Sequence, residues 1–468
     1  MSERKAAYYL QRERPPTHEI PDEHRIVITG IGMYSVLGNN AESSFQRLID
    51  GENGLSTLDM QRQARRVDLP GVPDPHIKAT VAGVIDVDFN EELSKFHLKT
   101  DSVKKRINNR AGEQAKLSLI TSVQALENAG LWHPKGRLAK GVDPYDLGVI
   151  IGTLIGDSTN FINFHDEIQR KKDKTTDYTS RPLFRPGSVL ELESERVATL
   201  PGIILKAHGP THSVLGACAT GSIAFMEACD VLKKGSAEVM LAGAVDAPFH
   251  PDEMAAYQAA GVLSEETDPK YANRPFDVNR EGFAIAEGST VFVLETLKHA
   301  KQRNANIIAE VDQYEEAADG EHDSTPNGFG LEIALAKTLA TGKCPGCGAI
   351  YMGKHGTGTT EGDRQEALAI KRVLKQIEKM PEMYMSSHKA QIGHARAASS
   401  AIELAFCALA IKEGVMPAVT NLENLMPQAR GLNVIRKEAV EKEIGLAVKI
   451  AAGFGGITTV ISLKPYTP

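Results

Sequence analysis

Nowhere in the 468-residue chain do 18 apolar residues run together, the length a helix needs to cross a bilayer, so no membrane span is expected. Nor is there a dense lysine and arginine stripe. The net charge is −7 and the pI near 6.1, whereas a nucleic-acid-binding domain shows a basic patch and a pI above about 9. Cysteine is scarce, and its odd count of five does not suit a disulfide framework. The opening MSERKAAYYLQRERPPTHEI holds no apolar stretch resembling a signal peptide. These absences predict a reduced, cytoplasmic, acidic enzyme with no nucleic-acid partner. Cys344 and Cys347 stand in CPGC, a metal or redox spacing, but a structural zinc site takes four ligands and no second pair exists. A turn is expected there, and no metal.

What is present is ample apolar material. Hydrophobic residues make up 42% of the chain, enough for about three domains of ~150 residues or for one large duplicated unit. Residues 1–24 read as a polar arm. Apolar runs at 26–34, 146–153, 212–219, 238–247 and 289–297 alternate with helix-like stretches such as Ala111 to Ala129 and Ala219 to Lys233. That alternation predicts an α/β fold with fully buried strands. A second series at 307–314, 349–356, 383–390, 448–456 and 458–465 is separated by helical patterns at Phe329 to Ala340, Asp363 to Lys379 and Ala397 to Glu413. Two halves of related order follow, with 52–112 and 155–200 as polar insertions in the first.

Cys218 sits in THSVLGACATGSIAFMEA, where an apolar run gives way to a helix pattern. Unsatisfied N–H groups at a helix start lower a thiol pKa from about 8.5 into a range of roughly 3.5 to 7.5. Gly216, Ala217, Ala219 and Gly221 allow a sharp turn and a close substrate approach. A buried thiol packed as a small hydrophobe is the competing reading, and it suits Cys229 and Cys407 inside helical patterns. His355 in KHGTGTTEGD and His394 in KAQIGHARAASSAIE each follow a short β-like run, where α/β sheets assemble sites. Taken singly, each histidine is equally a surface or satisfied core residue. Lys389, five residues before His394, can reach the same cavity or lie exposed.

GACATGS, HGTGTTEGD, KAQIGH and GFGG, in this order, resemble the β-ketoacyl-acyl-carrier-protein synthases of the type II elongation class. VITGIGM, GTLIGDS, RPFDVNREGF and Glu403, nine residues after His394, extend the likeness from Arg25 to Pro468. The resemblance implies a thiolase fold: two pseudo-twofold related αβαβα halves with buried mixed sheets, residues 25–303 and 304–468, assembled as a homodimer. Two histidines, where thiolases have a second cysteine and initiating synthases an asparagine, imply the decarboxylating elongation type.

The roles it implies are specific. Cys218 takes the acyl chain from an acyl carrier protein as a thioester, with an oxyanion hole at the amides of Cys218 and Phe454. His355 and His394 stabilise the enolate formed from malonyl carrier protein, Lys389 orders them electrostatically, and Glu403 holds the network. Thr357 and Thr359 contact pantetheine, Phe454 gates the cavity, and Ile155 and Tyr257 line the acyl pocket. No cofactor is required. Ala397, Ser400, Ala452, Leu154 and Asp157 depart from the family pattern, which leaves the pocket's shape open and suggests an unusual acyl chain or carrier, as in a specialised lipid or polyketide pathway; ordinary fatty-acid elongation stays the first reading. Docking of an acidic carrier calls for a basic patch, with Lys104, Lys105 and Arg106 or Arg170, Lys171 and Lys172 as candidates. Two alternatives stand: an acyltransferase or hydrolase using the Cys218 thioester alone, and a non-catalytic partner subunit like a chain-length factor.

Overall fold

The computed structural model describes residues 21–58, 77–98, 107, 111–155, 193–247, 251–322, 325–340, 348–377 and 381–467. Most of the arm, the CPGC segment, Asp157 and both basic clusters lie outside these residues. The first series of apolar runs forms β1 (Ile26–Tyr34), β2 (Leu147–Gly152), β3 (Thr211–His212), β4 (Val239–Asp246) and β5 (Gly288–Thr296). The second forms β6 (Ala309–Ala318), β7 (Ala349–Gly353), β8 (Met383–Ser386), β9 (Ile444–Ala452) and β10 (Ile457–Lys464).

All ten strands join in one sheet, ordered β8-β7-β9-β10-β6-β1-β5-β4-β2-β3. Outward from its middle, the halves run β1-β5-β4-β2-β3 and β6-β10-β9-β7-β8, the same order displaced by five strands. The pairing sense repeats as well. In each half the first strand meets the last, and the last the fourth, in antiparallel fashion; the fourth and second, and the second and third, are parallel. An antiparallel contact of β1 with β6, Val27 opposite Glu310, joins the halves.

The helices repeat in step. α1 (Glu113–Asn128), α2 (Arg196–Leu205) and α3 (Thr220–Lys233) fall between strands of the first half, followed by α4 (Pro251–Ala259). α5 (Phe329–Ala340), α6 (Thr360–Leu374), the single turn α7 (Lys389–Ile392) and α8 (Arg396–Glu413) belong to the second. Three apolar cores define the layers. α1 and α2 cover the outer face of the first half-sheet, α5 and α6 that of the second, and α3 and α8 lie in the core shared by both. The result is the five-layer α/β/α/β/α stack that the resemblance implied. Strands covered on both faces must be apolar throughout, and β1, β4 and β5 are buried at every residue. A helix apolar on all sides belongs in such a centre, and α8 is buried from Arg396 to Ala410.

The two central helices nearly touch. A Cβ placed on Gly221 would come within 2.7 Å of Ala401 Cβ and 2.8 Å of its backbone nitrogen, and the Ser222 amide donates to Ser400 Oγ at 3.0 Å. Ser400, one of the departures from the family pattern, thus ties α8 to the start of α3.

Some boundaries differ from expectation, for local reasons. The run 212–219 is extended only to His212, because Ala217 takes φ 48° and turns the chain before Cys218. β9 stops at Ala452, since Gly455 and Gly456 take φ 81° and 74°. α6 begins three residues earlier than predicted and ends at Leu374.

Replacing Gly221 by valine should force α3 and α8 apart. Urea denaturation should register a loss of about 1–3 kcal/mol, the cost of overpacking, and acylation of Cys218 should slow; a variant with unchanged midpoint and acylation rate would contradict this close approach.

Candidate active site

Cys218 occupies a 3-10 turn, Ala217–Ala219, that feeds directly into α3. The turn is locked by Thr220, whose hydroxyl donates to Ala217 O at 2.7 Å and accepts from the Gly216 amide at 2.9 Å. Gly453 packs against it so closely that a Cβ there would lie 2.9 Å from Gly216 O and 3.2 Å from the Cys218 nitrogen. The backbone of Gly453 therefore borders the Cys218 turn. Cys229 and Cys407 are buried inside their helices, as packing residues. The thiol departs from expectation: burial pushes Cys218 up to about 11, with Lys389 and Arg396 pulling down and Asp246 and Glu403 pushing up. Desolvation at the cavity floor outweighs the nearby positive charge, so the resting group is a thiol.

His355 leaves the C-terminal end of β7 on a loop held by carboxylates from α6. Glu366 accepts from the amides of His355 and Gly356 at 2.7 and 2.8 Å. Asp363 accepts from Gly358 at 3.1 Å and from Phe276 at 2.7 Å, while Asn273 donates to Thr357 O at 2.9 Å. Gly356 and Gly358 take φ 40° and 89°, which the HGTGT pattern supplies with glycine.

His394 follows α7 across Gly393, at φ 66°. Its amide donates to Ala284 O at 2.8 Å and its carbonyl accepts from Ala286 at 2.9 Å. Nδ1 accepts from the Arg396 amide at 3.1 Å and meets Ser399 Oγ at 2.9 Å. A backbone N–H can only donate, so Nδ1 carries no proton and the neutral ring bears it on Nε2. The rings of His355 and His394 stand edge to face, centroids 5.7 Å apart. Burial first, then Lys389, holds both histidines well below their ordinary value. Both are neutral at physiological pH.

Beneath them lies a wholly buried charge cluster. Lys389 Nζ donates to Glu403 Oε1 and Oε2 at 2.7 and 2.9 Å and to the His355 carbonyl at 2.7 Å. Lys449 Nζ lies 2.8 Å from Glu403 Oε2. Burial acts to raise Glu403, but Lys389 and Lys449 outweigh it and hold it below the carboxylate range. Burial lowers Lys389 despite the Glu403 charge.

Cys218, His355, His394, Thr357, Thr359, Phe454 and Tyr257 share one cavity of about 330 Å³. The Thr357 and Thr359 hydroxyls lie 3.0 Å apart. Phe454 is 42% exposed at the rim. Lys389 and Glu403 stand behind the wall rather than in it. Ile155 is exposed and is not among the lining residues, and neither is Leu154, Ala397 or Ser400; Ala452 is. Among the described residues no group of three or more His, Cys, Asp or Glu is placed to hold a metal ion.

Several polar residues at the site went unnoticed in the sequence. Arg396, buried and on the cavity wall, pairs with Asp246 at 2.5 Å and with Glu253. Asp363 and Glu366 had a readable signal, two acids just after a glycine-rich loop. Lys449 had none, lying inside the apolar run that leads to GFGG with no acidic residue beside it.

Family models match most of the chain: beta-ketoacyl synthase, N-terminal domain, over residues 23–300, and the C-terminal domain over 308–423. A Rhizobium meliloti protein described as 3-oxoacyl-[acyl-carrier-protein] synthase 2 is 31% identical, covering 95% of this chain and 99% of its own. A Streptomyces glaucescens protein, the tetracenomycin polyketide synthase ketoacyl synthase alpha subunit, is also 31% identical, covering 94% and 97%. Among solved structures, a type II polyketide acyl carrier protein in complex with its ketosynthase superposes with a TM-score of 0.79 at 25% identity, covering 95% of this chain and 99% of that one. A beta-ketoacyl synthase from Burkholderia phymatum gives 0.78 at 24% identity, covering 95% and 100%.

Alkylation of Cys218 by iodoacetamide should climb with pH through 9 and beyond, following the raised thiol; a plateau below pH 8 would reveal a thiolate at rest.

Proposed function

The chain belongs to the β-ketoacyl synthase family, and we propose that it joins a Cys218-bound acyl group to the two-carbon unit of malonyl-acyl-carrier protein by decarboxylative Claisen condensation. The observation that carries this reading is the pair of neutral histidines sharing one cavity with the thiol, His394 with its remaining proton on Nε2.

In the first half-reaction Cys218 sulfur attacks the acyl thioester of the carrier. The carbonyl oxygen becomes an oxyanion facing the Cys218 and Phe454 amides, the carrier's thiolate leaves, and the thiol proton passes to it. Cys218, protonated at rest, supplies that proton itself. In the second, malonyl thioester places its carbonyl oxygen between His355 and His394. The bond to the carboxylate breaks, carbon dioxide departs, and the electron pair enters an enolate whose oxygen accepts from the imidazole N–H groups. Such a donor in a dry site is worth about 2.7–4 kcal/mol. The enolate carbon then attacks the Cys218 thioester, the thiolate leaves and is reprotonated, and 3-oxoacyl carrier protein is released.

Thr357 and Thr359 on the cavity wall suit the amide-rich pantetheine arm, and Phe454, beside Gly455 and Gly456 with their positive φ, suits a gate. Tyr257 suits one wall of the acyl pocket; Ile155, off the cavity as described, would join it only through movement. We further take residues 25–303 and 304–468 as the two halves, the assembly as a homodimer and the location as cytoplasmic, in keeping with the free thiols of Cys218, Cys229 and Cys407. Retention of Cys218, His355, His394 and Lys389 argues against a non-catalytic subunit. A simple acyltransferase would leave the histidine pair without work.

The half-reactions have separate requirements. Cys218→Gln should abolish acyl labelling while carbon dioxide release from malonyl carrier protein persists. His355→Ala or His394→Ala should lower that release by roughly 10² or more and spare part of the labelling. If neither the wild type nor Cys218→Gln releases carbon dioxide, the acyltransferase reading replaces this one. Sedimentation should give twice the mass of one chain; a fully active monomer would refute the dimer.

A further inference from the structure

Four long cationic side chains, Lys354, Lys389, Arg396 and Lys449, are among the largest wholly buried residues, and the chemistry above gives Lys449 no part. Its surroundings are nonetheless built for it. It lies on β9 directly opposite Gly353 of β7, where a Cβ on Gly353 would come 3.6 Å from Lys449 Cδ and 2.8 Å from Cys407 Sγ. Its Nζ meets three oxygens: Glu403 Oε2 at 2.8 Å, Lys354 O at 3.1 Å and Ile450 O at 2.5 Å.

The fold itself does not ask for a cation at this place. In the first half the equivalent last pair of the parallel β2 and β4 strands is Gly152 opposite Ala244. The glycine recurs and the lysine does not, so the duplicated architecture is satisfied by a methyl group where the second half spends a buried charge.

The consequence is local to His355. Lys389 holds the carbonyl of His355 at 2.7 Å, Lys449 holds the preceding carbonyl, that of Lys354, at 3.1 Å, and Glu403 bridges the two ammonium groups. We propose that Lys449 is a positioning residue for decarboxylation: together with Lys389 and Glu403 it fixes two successive carbonyls at the end of β7 and so sets the His355 ring against the enolate oxygen. Lys449 does not touch substrate, and it has no counterpart contact at the Cys218 turn, so the acylation half-reaction does not depend on it. The inference rests on the condensation reading.

Three proteins test it: wild type, Lys449→Met, and the double variant Lys449→Met with Glu403→Gln. The double variant removes one positive and one negative charge together, leaving the local net charge unchanged. Carbon dioxide release from malonyl carrier protein, acyl labelling of Cys218 and thermal melting are measured for each. The expected result for Lys449→Met is a kcat for decarboxylation down at least tenfold, with KM within about twofold and labelling within about threefold of wild type. In the double variant decarboxylation should stay low even where melting recovers, because the carbonyl grip is still missing. Decarboxylation within threefold of wild type in Lys449→Met, or its recovery in the double variant, overturns the proposal, the latter by showing that charge balance alone mattered. Should Lys449→Met fail to fold, the double variant decides by the same criterion, and failure of both to fold overturns the positioning role in favour of a structural one. Absence of carbon dioxide release from the wild type overturns the condensation reading and this inference with it.

Discussion

Everything at this site depends on how closely α3 and α8 approach. The sheet's repeat makes these helices equivalents of one another, each following the third strand of its half, and the missing side chain at Gly221 lets them meet at Ala401. Because the helices are paired, so are the turns that lead into them. One turn carries Cys218 and the other His394. A duplicated frame thus brings two different side chains to one cavity, a thiol from the first copy and a neutral imidazole from the second. His355 joins them from the end of β7, a strand of the same second copy. Both turns use a left-handed non-glycine residue, Ala217 at φ 48° and Arg396 at φ 46°. Such strain persists only where surroundings over-determine it, and here Thr220 locks one turn while Asp246 and Glu253 hold Arg396 at the other.

Burial then decides protonation. Water exclusion favours neutral forms, so it keeps the thiol protonated and both histidines uncharged, leaving ring N–H groups free to serve as donors. The opposite charges are gathered below the cavity, where Lys389 and Lys449 both pair with Glu403 and all three side chains are buried. Breaking one partner of such a cluster typically costs about 3–5 kcal/mol, and each lysine accordingly stands at hydrogen-bond distance from Glu403 rather than merely nearby.

Legibility followed contiguity. Cys218, His355, Lys389 and His394 could be read because each stands in a short motif whose glycines record a backbone requirement, as Gly356, Gly358 and Gly393 do with their positive φ. Glu403 was legible only through the family resemblance, as the acid nine residues after His394. The strands were legible because burial on both faces leaves little but apolar residues. What stayed hidden was whatever depends on distance in sequence: Arg396 meets Asp246 across 150 residues, and Lys449 meets Lys354 across 95. The thiol's protonation was misjudged for a related reason, since a helix start is visible in sequence and desolvation is not. The contact of Ser400 was hidden because its partner, the Ser222 amide, lies in the other half.

The comparison of the halves gives a general criterion for reading this fold. Where equivalent positions hold equivalent residues, as with Gly152 and Gly353, the requirement is architectural: β2 and β7 each end against a neighbour that leaves no room for a Cβ. Where they diverge, as with Ala244 and Lys449, the frame is indifferent and chemistry accounts for the difference. The strand ends themselves obey the same rule. After Gly152 comes Thr153, a neutral residue whose hydroxyl donates to Gln114 Oε1 at 2.5 Å. After Gly353 come Lys354 and His355, with the two lysines gripping their carbonyls. The first copy thus finishes its strand with a hydrogen bond and the second with a charged clamp, which lies directly behind the His355 and His394 rings.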